Sequence, residues 1–404
     1  MSSASTLVAE IDEILPGVVA DRRWLHEHPE LGFHETETAA FVLQRLESLG
    51  VEDIRTGVGG TGVTALIRGT KPTHSDSPGK VLMLRADMDA LPILEANETE
   101  YASKNAGVMH ACGHDAHTAM LLATTRLLME RRDEFFGTVK VLFQPAEEAH
   151  PGGAIGMIRD GALEDPHVDA SFGLHVMSDT PSGLIGVQET FGTSNSDRFT
   201  LWVQGKGGHA SAPHETVDPV ILGSHIIVAW QTLISRETDP LEPAVLSVTA
   251  NLAGEAFNVI PDSAEIRGTV RTYNPEVQDH IERRMAEVAA GVAKALGGSA
   301  RLDYRRGYPC LPNDAGMAAI VRAAATEVVG EDRVFTPPMG MGGEDYAHFA
   351  RAVPSCFFWV GVRNDEKGFN WPHHHPRFDI DEDGMAAGIA TMVTASIRYL
   401  NGES

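Results

Sequence analysis

The sequence predicts an α/β protein: a largely parallel sheet covered by helices, with a smaller α+β module inserted into it. Three observations carry this. The chain has 404 residues, more than one ordinary compact domain holds. Short, almost wholly apolar runs alternate with helical stretches over most of its length, as in strands buried on both faces of a parallel sheet. The middle of the chain changes rhythm, and its strands alternate apolar and polar residues.

Taken in order, residues 5–28 and 36–49 have apolar positions at helical spacing, with Gly50 as a stop for the second helix. The apolar runs follow: GVTALIRG at 62–69, KVLMLRA at 80–86, TVKVLFQ at 138–144, DASFGLHV at 169–176 and CFFWVGV at 356–362. Helices are predicted from Ala116 to Arg132, from Gly153 to Arg159 and around Ile320 to Val329, and THSDSP at 73–78 reads as a polar loop. From about Asp197 to Tyr304 the pieces are RFTLWVQG, a helix Val217–Ser235, LSVTANLAG, AEIRGTVRTY, a helix Glu276–Leu296 and SARLDYR. Strand, helix, two strands, helix, strand is the split β-α-β order of a ferredoxin-like module. The predicted division is 1–192 with 306–404 for the outer domain and 193–305 for the insert.

Hydrophobic residues make up 43% and charged residues 22%, the balance of a soluble globular chain. A net charge of −24 argues against nucleic acid and anionic membrane as partners. Cys112, Cys310 and Cys356 form no disulfide framework, so a reducing cytoplasm is expected. The N-terminal stretch lacks the basic and apolar regions of a signal peptide, and no run is long enough for a transmembrane helix.

Reactive side chains collect where the apolar runs end. Asp87 and Asp89 follow VLMLR, Glu147 and Glu148 follow VKVLFQP, His175 follows ASFGL, and His373, His374 and His375 come after CFFWVGV and a loop. The carboxyl ends of strands are where open α/β sheets bind ligands. MHACGHDAHTAM at 109–120 adds Cys112 and His114, two apart, so that an extended turn can aim both at one centre. A lone cysteine is ordinarily a small buried hydrophobe; beside His114 and strand-end carboxylates, ligation is the better reading. Asp115 either caps the following helix or supports a ligand, His117 caps or packs, and His110 is ambiguous. Of Glu147 and Glu148, one can bind metal while the other takes a proton from water. Of three consecutive histidines, one faces such a site. The set exceeds what a single tetrahedral zinc needs, so two divalent ions fit better, with amide hydrolysis as the chemistry.

RADMDALPI, MHACGHDAHTAMLL, FQPAEE, GLHV, GKGGHASAP, NVIPD, GTVRTY, GGEDY and HHPRF occur in that order between residues 85 and 378. Together they resemble the aminoacylase/carboxypeptidase-type dinuclear metallohydrolases, in the branch of hippurate hydrolases, N-acyl-amino-acid amidohydrolases and auxin-conjugate hydrolases. The resemblance covers about Leu25 to Leu400 and implies a zinc-exopeptidase-type catalytic domain with an inserted lid. It implies that Cys112 bridges two metals, that His114, Glu148, His175 and His374 complete the ligands, and that Glu147 is the general base. His374 is preferred among its neighbours because the family ligand lies two residues before the proline, here Pro376. The resemblance further implies that His209 steadies the oxyanion from a partner subunit, hence a homodimer or higher homo-oligomer, and that Asn258 and Arg271 meet the substrate, with Arg267 as the alternative to Arg271. Wider relatives carry a His-x-Asp metal motif where this chain has Asp87-Met88-Asp89. Asp87 and Asp89 are therefore expected to orient His114 or His175 rather than to ligate. The implied metals are manganese or zinc, with cobalt or nickel able to substitute. The implied substrate is an N-acyl amino acid. N-acetyl-diaminopimelate deacetylase, a dipeptidase, and a non-catalytic amino-acid or metal binder are the alternatives.

Overall fold

The computed structural model describes residues 3–72 and 79–403, so the 73–78 stretch expected as a polar loop lies outside the described residues. The chain forms two compact units. The first comprises Met1–Gly192, Pro312–Met339 and Asp345–Ser404, the second Thr193–Leu311 and Gly340–Glu344.

The first unit is built on an eight-stranded sheet in the order Glu52–Val58, Gly62–Arg68, Thr138–Gln144, Val81–Asp87, Ala170–Pro181, Ser355–Arg363, Ile185–Val187, Val334–Phe335. The central four strands, 138–144, 81–87, 170–181 and 355–363, run parallel. Strands 52–58 and 62–68 join antiparallel at one side. Every residue of Val81–Asp87 is buried, which is why its sequence shows no alternation. Helices Ser3–Glu27, His114–Glu130, Ala315–Val329 and Met385–Asn401 pack with one another and the sheet around a continuous apolar core that includes Leu84, Met120, Phe172, Phe358 and Ile389.

The 114–130 helix begins at His114, two residues before the expected Ala116, because Gly113 makes the turn in the left-handed region at φ 93°. A Cβ on Gly113 would sit 2.4 Å from Val176 Cγ2, so only glycine lets the turn press against the 170–181 strand. Asp115 does not cap this helix; its carboxylate is committed to Arg22 and His26.

The second unit is a four-stranded antiparallel sheet in the order Ala244–Leu252, Ser263–Thr272, Asp197–Gln204, Ser299–Arg305. Helices Pro219–Arg236 and Pro275–Ala295 pack together over it around Trp230, Leu201, Ile266 and Met285. Each starts with proline after a capping side chain: Asp218 accepts from Val220 N at 2.8 Å, and Asn274 from Glu276 N at 2.9 Å. A short ribbon pairs Gly208–His209 with Val259–Ile260. Among the described residues no helix is long and apolar enough to cross a membrane.

Candidate metal centre

The first unit gathers six of the expected site residues. Ligand atoms of Cys112, His114 and His175 lie within 4.8 Å of one another, as do those of Cys112, Glu148 and His374, and those of His114, Glu147 and Glu148. Cys112 Sγ is 3.5 Å from His175 Nε2, and His374 Nε2 is 3.0 Å from Glu148 Oε1.

The partners of each ring decide which nitrogen faces the cluster. His175 Nδ1 bonds the Val176 carbonyl at 2.7 Å, so the neutral ring turns the Nε2 lone pair toward Cys112. His114 Nδ1 bonds the Asp89 carbonyl at 2.9 Å and Asp89 Oδ1 at 3.2 Å, while its buried Nε2 has no hydrogen-bond partner among the described residues. His117 has no nitrogen to spare: Nδ1 donates to Asp87 Oδ1 at 2.6 Å and Nε2 accepts from Val176 N at 2.9 Å. Of the three consecutive histidines, His373 accepts from Ser178 N at 3.2 Å, and His375 accepts from Arg377 N at 3.0 Å while stacking on Trp371. Only His374 turns toward Glu148. It does so with φ at 64°, in the left-handed region that residues other than glycine adopt uncommonly. His110 is buried with neither ring nitrogen hydrogen-bonded among the described residues, and burial lowers its pKa to about 3.

Asp89 links the two halves of the cluster. Besides holding His114, its oxygens accept from Glu147 N at 3.0 Å and Glu148 N at 2.9 Å. Asp87 lies 3.7 Å from His114 Nε2. His175, in contrast, is oriented by a main-chain carbonyl and by neither aspartate.

Electrostatics show whether cations fit here. Burial pushes the Cys112 thiol well up, and Glu148, Glu147 and Asp87 push it further. His114 rises to about 10 despite burial, because Asp87, Asp89 and Glu148 surround it. Glu148 raises His374 in turn. The cluster thus favours positive charge at His114 and His374, the charge that divalent ions would supply. A buried, unbonded His114 Nε2 amid thiol, imidazole and carboxylate donors fits a transition-metal pair.

Several supporting residues were given no role by the sequence, although Arg85, Gln144 and Asp345 lie inside the quoted motifs. Arg85 is wholly buried, with Nε on Gln144 Oε1 at 2.8 Å and Nη1 on Asp87 Oδ2 at 2.7 Å. Asp345 accepts from Gln144 Nε2 at 2.6 Å and Arg85 Nη2 at 3.2 Å, and its amide approaches Glu147 Oε1 at 3.4 Å. Glu35 accepts from Ala146 N at 2.8 Å and Thr61 Oγ1 at 2.6 Å.

His209, Asn258 and Arg271 belong to the second unit. His209 is exposed, pairs with Val259, and accepts from Ser211 N at 3.1 Å; Asn258 lies beside it, its carbonyl accepting from Ala210 N at 3.1 Å. Arg271 is half-buried in the 263–272 strand, and its guanidinium has no ion pair or hydrogen bond among the described residues. Arg267 is paired with Glu265 on its own strand.

Residues 83–398 match the family described as Peptidase family M20/M25/M40. The chain is 41% identical over 384 residues to the N-acetyl-L-cysteine deacetylase of Bacillus subtilis strain 168, covering 95% of this chain and 88% of the relative. It is 36% identical over 404 residues to thermostable carboxypeptidase 2 of Saccharolobus solfataricus, covering 99% and 100%. Among solved structures, the YXEP protein of Bacillus subtilis, a dinuclear metal binding peptidase, superposes with a TM-score of 0.82 at 34% identity, covering 96% of this chain and 99% of that one. With a sequence match across both units and relatives aligned from end to end, the chain belongs to peptidase family M20/M25/M40.

Proposed function

We propose that the chain hydrolyses N-acyl amino acids to a carboxylic acid and a free amino acid, with two divalent ions, manganese or zinc, held by Cys112, His114, Glu148, His175 and His374. The observation that carries this reading is that the ligand atoms of those five side chains and Glu147 fall into overlapping groups, each within 4.8 Å, with Glu147 and Glu148 just past the end of the 138–144 strand and His175 inside the 170–181 strand rather than at its end. The bound ions would polarise the amide carbonyl and acidify the attacking water. Glu147 takes the proton of that water and later returns it to the departing nitrogen. Its backbone is fixed by Asp89, so the carboxylate stays in place while its charge changes. Asp87 and Asp89 hold the surrounding imidazoles in one tautomer.

In the second unit, His209 is assigned to the developing oxyanion and Asn258 to the substrate amide. Arg271 is assigned to the amino-acid carboxylate, which suits its planar fork. Its guanidinium has no partner among the described residues, which supports this choice over Arg267, already paired with Glu265. The relatives' names agree on the bond: an acetylcysteine and a peptide's C-terminal link are both amides whose nitrogen belongs to an amino acid. A homodimer in the cytoplasm completes the reading.

The test is a release assay on hippurate, acetyl amino acids and dipeptides, with manganese or zinc added, for the wild type and Glu147→Ala. Wild-type turnover is expected on the acyl amino acids. The variant is expected to retain its metal by elemental analysis and to lose at least 10³-fold in kcat, within the range proton transfer contributes plus the loss of water activation. Full activity in Glu147→Ala would overturn the assignment.

A further inference from the structure

Next in sequence to the metal cluster's residues lies a second set of buried charges that the proposed chemistry does not use. Its centre is Arg22, on the 3–27 helix and wholly buried. Arg22 Nε lies 2.8 Å from Asp115 Oδ2, Nη2 lies 2.8 Å from Asp379 Oδ1, and Nη1 lies 3.3 Å from Glu382 Oε1. One turn on, His26 Nδ1 is 2.7 Å from the same Asp115 oxygen and Nε2 is 3.2 Å from Glu95 Oε1. Tyr101 donates to the other Asp379 oxygen at 2.7 Å.

The significance lies in where the two aspartates sit. Asp115 follows His114 directly, and Asp379 lies five residues after His374. The two ligand-bearing segments also touch each other through His374 N, which donates to the Ala111 carbonyl at 2.8 Å. Between that bond and the guanidinium, the 111–115 turn and the 374–379 loop are clamped from two sides. The loop needs a clamp, because His374 occupies the left-handed region that its side chain disfavours.

We propose that Arg22 is a positioning residue for the metal pair: by bridging Asp115 and Asp379 it holds the Cys112–His114 turn and the His374 loop at the separation two ions require. This rests on the reading that Cys112, His114 and His374 ligate metal. A planar fork can meet carboxylates in three directions at once, and a lysine ammonium of the same charge cannot span them.

The experiment measures metal binding to the full-length protein by competition with a chromophoric chelator, beside circular dichroism and thermal unfolding. Arg22→Lys is the main variant, and Arg22→Met removes the charge as well. Lys140→Met is the control for lost stability, since Lys140 is another buried cation, bonded to the carbonyls of Ala162, Glu164 and Pro166 away from the cluster. The expected result is that Arg22→Lys keeps its fold yet binds the weaker of two ions at least tenfold less tightly. Its cobalt form should also show altered d–d bands, while Lys140→Met binds both ions as the wild type does. Should the Arg22 variants fail to fold, Asp379→Asn, nearly isosteric, is expected to show the same selective loss. Wild-type affinity and cobalt spectrum in the folded variants would overturn the proposal, as would an equal loss in Lys140→Met. A wild type that binds no divalent metal would instead sink the reading on which it rests.

Discussion

Ala146, Glu147 and Glu148 offer three successive backbone amides, and each meets a carboxylate: Glu35 takes the first, Asp89 the other two. Ala146 has φ at 54°, so the turn is unfavourable locally and is held by these bonds. Burial of Glu35 raises its pKa, although Thr61 and the Ala146 amide favour its ionised form. Its role is therefore as an acceptor, which a neutral amide oxygen also supplies. Glu35→Ala is expected to lower kcat by about 10- to 100-fold with metal content unchanged, and Glu35→Gln to recover most of it. Steady-state kinetics beside elemental analysis check this; a Glu35→Ala enzyme with wild-type kcat would show that the amides need no such anchor. Cys112, His114, Glu147 and Glu148 were legible in the sequence because each stands next to an apolar strand or in a dense motif. Glu35 and Arg22 show no such signal, since the partners that tie them to the site, Ala146 for Glu35 and Asp115 and Asp379 for Arg22, are far away in sequence, and a single charge in an amphipathic stretch looks like an ordinary surface residue.

At the scale of elements, long periodic stretches were read well and short or uniform ones were not. The 153–159 helix and the 138–144 strand have the expected bounds. The 385–401 helix, most of whose residues are buried, is absent from the elements expected from sequence. Strands 185–187 and 334–335 are too short to show a period. The 3–27 helix was read as an amphipathic helix, but its last turn carries a titrating anchor that periodicity cannot reveal. Burial and Arg22 push the pKa of His26 down, yet Asp115 and Glu95 outweigh them and raise it from 6.5 to about 9. A pKa higher in the folded than in the unfolded chain contributes stability that is complete below about pH 6.5 and disappears as pH rises through about 9. The shift corresponds to on the order of 3 kcal/mol. Thermal unfolding is expected to show a gap between wild type and His26→Asn that is wide near pH 6 and nearly closed at pH 10. A gap independent of pH would mean that the pKa of His26 does not rise on folding.

For the molecule as a whole, the order of nine motifs made the family legible, and no single motif did so. Assembly was implied by resemblance alone, and the second unit offers a surface on which to test it. Between Asp218 and Arg236 the helix carries no aspartate, glutamate, lysine or arginine, and it exposes Ile221 at 53% and Val228 at 69%. Beneath it runs the 244–252 strand, at the edge of its sheet and bonded on one side to 263–272. An apolar helix face beside a nine-residue open strand edge is costly to leave in water and invites pairing. In a chain of net charge −24, distant repulsion disfavours association, so a contact must be local and apolar. A two-fold arrangement satisfies both demands, because one patch meets itself and both strand edges close together. The wild type is expected to sediment as a dimer at about 1–10 μM, an ordinary range for an interface of standard size. Ile221→Lys with Val228→Lys places like charges across the two-fold axis and is expected to give monomers of unchanged circular dichroism. If the double variant stays dimeric, the contact lies on another face; if the wild type is monomeric throughout, the dimer itself is excluded, and a His209 supplied by a partner subunit goes with it.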